Sequence, residues 1–179
     1  MIDRLVIKGY KSIKDQEVFL GPINILIGGN GVGKSNFISV FSLIRNLYEG
    51  NLGGYVIDKG GADNFLYFGK KTTQEIVLDI YFGDSDENES KNRFIVVLRE
   101  SHDSIYIKYL ATAFFPVSQW REIEYERNVK ESNFRNIKTR QAYWVNIRLR
   151  EFEVYHFHDT GDKSPMKGLC NIDDNRQLK

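Results

Sequence analysis

The sequence has a single cysteine, Cys170, so no disulfide can form within the chain and a covalent staple is excluded as a source of stability. Proline is scarce, with 3 in 179 residues, while aromatic residues make up 13%; that is the composition of a folded chain and excludes a disordered one. An excess of either charge is also missing. The 25 basic and 24 acidic residues leave a formal net charge of +1, so bulk charge does not announce a nucleic-acid partner and leaves only local patches open. No apolar run approaches the roughly 20 residues that span a bilayer. The start Met1-Ile2-Asp3-Arg4-Leu5 lacks the basic and apolar stretches of a secretory signal. These absences lead us to expect a cytoplasmic chain with no membrane segment and one main core.

What is present is strongly patterned. Leu5-Val6-Ile7 opens a strand, Gly9-Tyr10-Lys11-Ser12 bends it, and Glu17 to Leu20 returns, which predicts a hairpin. After the turn signal Gly21-Pro22, the run Ile23-Asn24-Ile25-Leu26-Ile27 predicts a central strand. From Lys34 to Tyr48, apolar residues at Phe37, Ile38, Phe41, Ile44, Leu47 and Tyr48 predict an amphipathic helix that Gly50 ends. Gly53-Gly54 and Gly60-Gly61 punctuate a long loop. Ile76–Phe82, Phe94–Leu98 and Ile105–Tyr109 predict an antiparallel meander, its first two strands joined by a solvated acidic turn over 83–89. A helix is predicted from about Ser132 to Arg150 and a short strand from Phe152 to Phe157, with a polar, turn-rich tail from Thr160 to Lys179.

Between the predicted central strand and the first helix lies Gly28-Gly29-Asn30-Gly31-Val32-Gly33-Lys34-Ser35, a full match to G-x-x-x-x-G-K-S/T in the strand-then-helix context that a P-loop requires. The glycines let the backbone wrap tightly and turn its N–H groups inward onto phosphate oxygens. The helix start adds its positive dipole end. Lys34 supplies a cation for the β- and γ-phosphates, and Ser35 a hydroxyl for Mg²⁺. ATP and Mg²⁺ are therefore the expected ligands.

Three stretches carry a resemblance to a known family: Arg4-Leu5-Val6-Ile7-Lys8-Gly9-Tyr10-Lys11-Ser12, Ile23 to Gly28, and Asn30-Gly31-Val32-Gly33-Lys34-Ser35-Asn36-Phe37. Together they resemble the N-terminus of SMC, RecF and related ABC-class ATPases. Val154 to Thr160 and Asp173 to Leu178 are similar to a bacterial group of predicted ATPases in the same superfamily. The resemblance implies an α/β fold, the N-terminal part of an ABC-type P-loop head with an antiparallel β-lobe and a helical segment. It implies nucleotide binding by Asn30, Gly31, Val32, Gly33, Lys34, Ser35 and Asn36, with Lys11 and Ser12 near the phosphates. It also implies a process in DNA maintenance or antiphage defence. The expected division is a P-loop core over 1–50, a β-lobe over 51–127, and a helical segment, strand and tail over 128–179.

An ATPase head also needs an Asp-Glu at the end of an apolar strand, a Leu-Ser-Gly-Gly-type signature and a switch histidine. None is found. Ile76-Val77-Leu78-Asp79 is the nearest mimic, but Ile80 stands where Glu should, and the alternation there reads as a meander strand. In the families it resembles, these elements come later in the chain. The expected state is thus a nucleotide-binding half, acting as a homodimer or with a chain that carries the C-terminal ATPase half; a non-catalytic module of a split complex is the alternative. His156-x-His158 raises a weaker reading as a metal-dependent hydrolase, and His158 and Asp159 one as a sensor of the γ-phosphate. Arg127 to Arg150 holds basic residues at 127, 130, 135, 138, 140, 148 and 150 against Glu131 alone, with Tyr143 and Trp144 interleaved. That segment is either a DNA-contacting helix or a solvated face with its aromatics packed inward.

Overall fold

The computed structural model describes residues 1–83, 91–115 and 119–154. Six strands make one antiparallel sheet: β1 (Ile2–Tyr10), β2 (Ile13–Phe19), β3 (Glu75–Phe82), β4 (Lys91–Ser101), β5 (Ser104–Phe115) and β6 (Arg121–Val129), in the order β2-β1-β3-β4-β5-β6. The predicted hairpin is β1–β2, with Tyr10 facing Ile13 across the turn. The predicted meander is β3–β5, and β1 pairs with β3, so hairpin and meander form a single layer. Among the described residues three helices form the other layer: α1 (Lys34–Glu49), α2 (Leu52–Asp58) and α3 (Arg140–Arg150).

Alternate strand positions point at the helices. Leu5 and Ile7, Ile76, Leu78 and Ile80, Phe94, Val96 and Leu98, and Ile105 and Ile107 are all buried in one core. From α1 that core receives Val40, Leu43, Ile44, Leu47 and Tyr48, the i, i+3, i+4 spacing of one helical face. Each such side chain contributes about 1.5–3 kcal/mol when fully buried. The predicted stripe is shifted in phase, because Ile38 turns outward at 40% exposure and Val40 and Leu43 take the inner positions. Gly50 ends α1 as predicted, at φ 73, and its amide donates to Leu47.

Four expectations are corrected. The loop after Gly50 contains α2 in spite of Gly53 and Gly54. Its first amides, Leu52 and Gly53, donate to the Glu131 carboxylate at 2.7 and 2.7 Å, so a residue distant in sequence supplies the cap. The helix expected from Ser132 starts at Arg140, where Thr139 Oγ1 accepts from the Ala142 amide at 3.2 Å; only a 3₁₀ turn, Phe134–Asn136, precedes it. Phe152, Glu153 and Val154 are not in a strand, and the rest of the strand expected to Phe157 lies outside the described residues, as do the acidic turn from 84 on and the tail.

The fourth correction concerns Ile23 to Ile27. The segment belongs to no sheet among the described residues. Ile23, Ile25 and Ile27 share one face at i, i+2, i+4 and are 84, 78 and 90% exposed, and Leu26 is 44% exposed. A central strand needs neighbours on both sides. The sheet that is present is antiparallel and ends at β2 and β6 without admitting this run.

Candidate functional site

The glycine loop runs from this bare segment into α1. Gly31 and Gly33 take φ values of 82 and 101, a region in which a side chain is strained. A Cβ at Gly29 or Gly31 would meet nothing within 4 Å, so the loop is open to a ligand. Asn30, Gly31 and Val32 are exposed, as is Ser35, while Lys34 and Asn36 are half-buried. No side chain caps α1 and no acidic residue stands in its first turn, which leaves the first amides and the positive end of the helix dipole for an anion. The Lys34 ammonium lies across the loop and donates to the Gly28 and Gly29 carbonyls at 2.7 and 2.6 Å. This combination fits a polyphosphate: backbone donors and a lysine on the loop, with the Ser35 hydroxyl at the helix start as the group that could hold Mg²⁺.

The β1–β2 turn sits against the loop. Ser12 Oγ accepts from Asn36 Nδ2 at 2.8 Å, and a Cβ added to Gly33 would come within 3.1 Å of the same oxygen. Lys11, at φ 48, donates from Nζ to Ser39 Oγ at 3.0 Å, and Tyr10 shares that hydroxyl at 2.8 Å. The Lys11 ammonium lies 5.3 and 5.5 Å from the Tyr10 and Phe65 ring centroids. Burial, and then the charge of Lys59, hold Lys11 below the usual lysine range. Burial likewise pushes the Tyr10 phenol up. Thus Lys11, Ser12, Gly33 and Asn36, named from sequence, come together. The half-buried lysine is held by a hydroxyl, with the Lys59 charge on its other side.

Sequence reasoning missed the far wall of this site. The connection from α2 to β3 folds back on the turn: Lys11 N donates to Phe65 O at 2.8 Å, Tyr67 N donates to Gly9 O at 3.0 Å, and Tyr10 bridges Leu66. Lys59, Asp63, Asn64 and Phe68 thereby face Lys11 and Ser12 across a cleft. The only sequence signal was an aromatic pair before a glycine, Tyr67-Phe68-Gly69, inside a polar loop.

Asp79 is accounted for elsewhere. It is 7% exposed in β3, and both of its oxygens accept from Arg93, from Nε at 2.6 Å and from Nη2 at 2.5 Å, with the Tyr81 hydroxyl also donating at 3.2 Å. A carboxylate so paired is a structural ion pair of the sheet. His156, His158 and Asp159 lie outside the described residues. Among the described residues no three His, Cys, Asp or Glu side chains gather as a metal site, and no helix is long and apolar enough to cross a membrane. On α3 the aromatics point outward, with Tyr143 and Trp144 57 and 50% exposed and packed edge to face at 5.8 Å, contrary to the reading that packed them inward.

An open glycine loop feeding an uncapped helix that begins with Lys-Ser has the form of the phosphate-binding element of P-loop nucleotide-binding proteins. The sequence matches the AAA ATPase domain family over residues 1–164, and the chain belongs to that family. It is also 36% identical over 85 residues to the DNA double-strand break repair Rad50 ATPase of Saccharolobus solfataricus, an alignment covering 44% of this chain and 10% of that protein. The chain therefore spans about a tenth of the length of this curated relative. Together the two matches bear out the likeness of the N-terminal portion to SMC/RecF-like ABC-class ATPases.

Proposed function

We propose that this chain binds ATP and Mg²⁺ through Gly28–Ser35, with Lys11 and Ser12 beside the phosphates, as the nucleotide-binding half of an ABC-type ATPase head. The observation that carries this reading is the open glycine loop at the uncapped start of α1, with Lys34 already laid across it. Bound Mg²⁺ would screen phosphate charge; Ser35 would hold it and Lys34 would share the remaining charge. The bare isoleucine face just before the loop supports the second half of the proposal. Its β-branched run needs flanking strands, and these would come from a C-terminal ATPase half. That half would also supply the water-polarising carboxylate, which Asp79 does not supply.

The test is calorimetric titration of Mg·ATP into the purified chain and into Lys34→Ala. Binding by the first and its loss in the second are expected, together with weak hydrolysis. Strong turnover by the chain alone that Lys34→Ala abolishes would overturn the reading as a half-site.

The outer face of α3 supports DNA as a further partner, in keeping with the repair role in the relative's name. Tyr143 and Trp144 stand exposed between exposed Arg140 and Arg150, a mix of stacking rings and cations that suits single strands. Single-stranded DNA should alter Trp144 fluorescence at low salt, and Arg140→Glu should weaken the effect; no response at any salt would refute it.

A further inference from the structure

Lys8, Lys70 and Lys108 each pair with a carboxylate: Lys8 with Asp15 at 3.0 Å, Lys108 with Glu75 at 2.6 Å, and Lys70 with Asp103. Lys34 donates to the Gly28 and Gly29 carbonyls together. Such acceptors hold the proton on nitrogen and leave no electron pair for chemistry. Lys11 is placed differently. Its ammonium donates to a hydroxyl, Ser39 Oγ, at 3.0 Å. That hydroxyl is already engaged, because it donates to the Asn36 carbonyl at 2.8 Å and shares a hydrogen bond with the Tyr10 hydroxyl at 2.8 Å. A shared neutral oxygen is a weaker acceptor for an ammonium than a carboxylate is. The Tyr10 and Phe65 rings favour the cation from 5.3 and 5.5 Å. Burial, and then the Lys59 charge, outweigh them and hold Lys11 below the usual lysine range. More of it is therefore free amine near neutral pH, the form that attacks electrophiles.

This amine is within reach of small molecules. Lys11 lines a cleft of about 560 Å³, within the range of roughly 300–1,000 Å³ typical of small-molecule sites. None of residues 28–35 lines it, so the cleft is separate from the glycine loop. Lys59 lines it too and is exposed, which places a second cation opposite the first. Asp63 is the carboxylate on the same wall, and its Oδ1 is occupied by the Lys70 amide at 2.8 Å. Leu66 and Phe68 add apolar lining. The cleft thus offers an anion a cation at one end and offers a short carbon chain apolar surface, with an amine beside both. The Lys11 backbone is fixed as well, since its amide donates to the Phe65 carbonyl at 2.8 Å.

We propose that Lys11 is an acylation site, and that the cleft takes a small acyl phosphate whose phosphate pairs with Lys59 while its acyl carbon meets the Lys11 amine. The Lys11 nitrogen forms an amide bond to the acyl carbon, the bond from that carbon to the phosphate oxygen breaks, and one amine proton leaves on the departing hydrogen phosphate. The donor supplies its own leaving group, so no further reactant is needed. Acylation removes the Lys11 charge, and on the P-loop reading above it would weaken Mg·ATP binding. The acylation itself rests on the cleft and not on that reading.

The experiment incubates the purified chain with isotopically labelled acetyl phosphate and follows the initial rate at each lysine by peptide mass spectrometry. Lys11 should be acetylated several-fold faster than Lys8, Lys34, Lys70 and Lys108. Lys59→Ala should slow Lys11 by about two- to fivefold, the worth of one exposed charge contact, and leave Lys8 unchanged. Lys34→Ala should leave the Lys11 rate as it is. Lys59 is exposed, so its replacement spares the core, and circular dichroism verifies that. A Lys11 rate no higher than those of the paired lysines overturns the proposal. So does a rate that Lys59→Ala leaves unaltered, or one lost in Lys34→Ala, which would put the donor on the glycine loop. Calorimetry with the acetylated chain reads the consequence separately: Mg·ATP affinity equal to that of the unmodified chain would remove Lys11 from beside the phosphates and leave the acylation standing.

Discussion

Replacing Asp79 by asparagine removes the carboxylate from an ion pair that the sheet has largely taken out of water. The Asp79 side chain is 10% exposed and that of Arg93 24%, and the guanidinium makes two parallel hydrogen bonds to the carboxylate. Removing one partner of a buried pair costs about 3–5 kcal/mol, because the other charge stays behind uncompensated. Here Arg93 keeps a quarter of its exposure, and its guanidinium lies 5.0 Å from the Tyr81 ring and 5.9 Å from that of Trp120, so the remaining cation is partly accommodated. The expected loss is therefore about 2–3 kcal/mol. For a chain of this size each kcal/mol moves Tm by about 2–4 °C, which places the mutant about 4–12 °C lower. Thermal unfolding followed by circular dichroism measures this, and Arg93→Met with the double mutant isolates the coupling. Mg·ATP affinity, measured well below the lowered Tm, should match that of the unaltered chain. An Asp79→Asn protein with unchanged Tm and weakened Mg·ATP binding would refute the structural assignment and favour a role for Asp79 in nucleotide binding.

Two further outcomes follow from the turn and from α2. Lys11→Met should raise Tm slightly, since a desolvated charge facing Lys59 is removed, and should weaken Mg·ATP about tenfold, the worth of one charge-assisted contact, by titration calorimetry. The pKa of Lys11 is depressed on folding, so below the usual lysine value of 10.5 the unfolded chain holds this proton more tightly. Its contribution therefore makes stability rise with pH through that window, and the rise should vanish in Lys11→Met. Glu131→Ala should cost about 1–2 kcal/mol by uncapping α2, and hydrogen exchange should show protection lost over Leu52–Asp58 while α1 keeps its own; an unaltered α2 would refute the capping role.

The readable parts of the sequence were those whose signals are local. The phosphate loop, the Gly50 stop and the three meander strands rest on neighbours within a few residues. Two parts that were misread or missed depend on distant partners. α2 violates its own propensity at Gly53 and Gly54 and is held by Glu131. β6 reads Arg121-Glu122-Ile123-Glu124-Tyr125-Glu126, too charged for a strand on propensity alone; it forms because an edge strand needs only one paired side and benefits from charge on the other. The start of α3 is set by the cap at Thr139, and apolar spacing alone ran the helix several residues too early. Half of the site was legible because a P-loop is a contiguous motif. The wall with Phe68 was not, because it joins the site only through ladder contacts to residues more than fifty positions earlier in the chain.

The bare isoleucine face also sets a concentration scale. Covering Ile23, Ile25 and Ile27 would release about 5–9 kcal/mol at the usual value per buried side chain. Association itself costs about 4–15 kcal/mol in lost freedom of motion. The face alone therefore holds no lasting complex at micromolar concentration; it needs a second contribution from the same event. Because Ile27 leads directly into Gly28, a nucleotide bound as proposed would be the nearest source, and the lifetime of the assembly would then follow the cell's supply of that ligand.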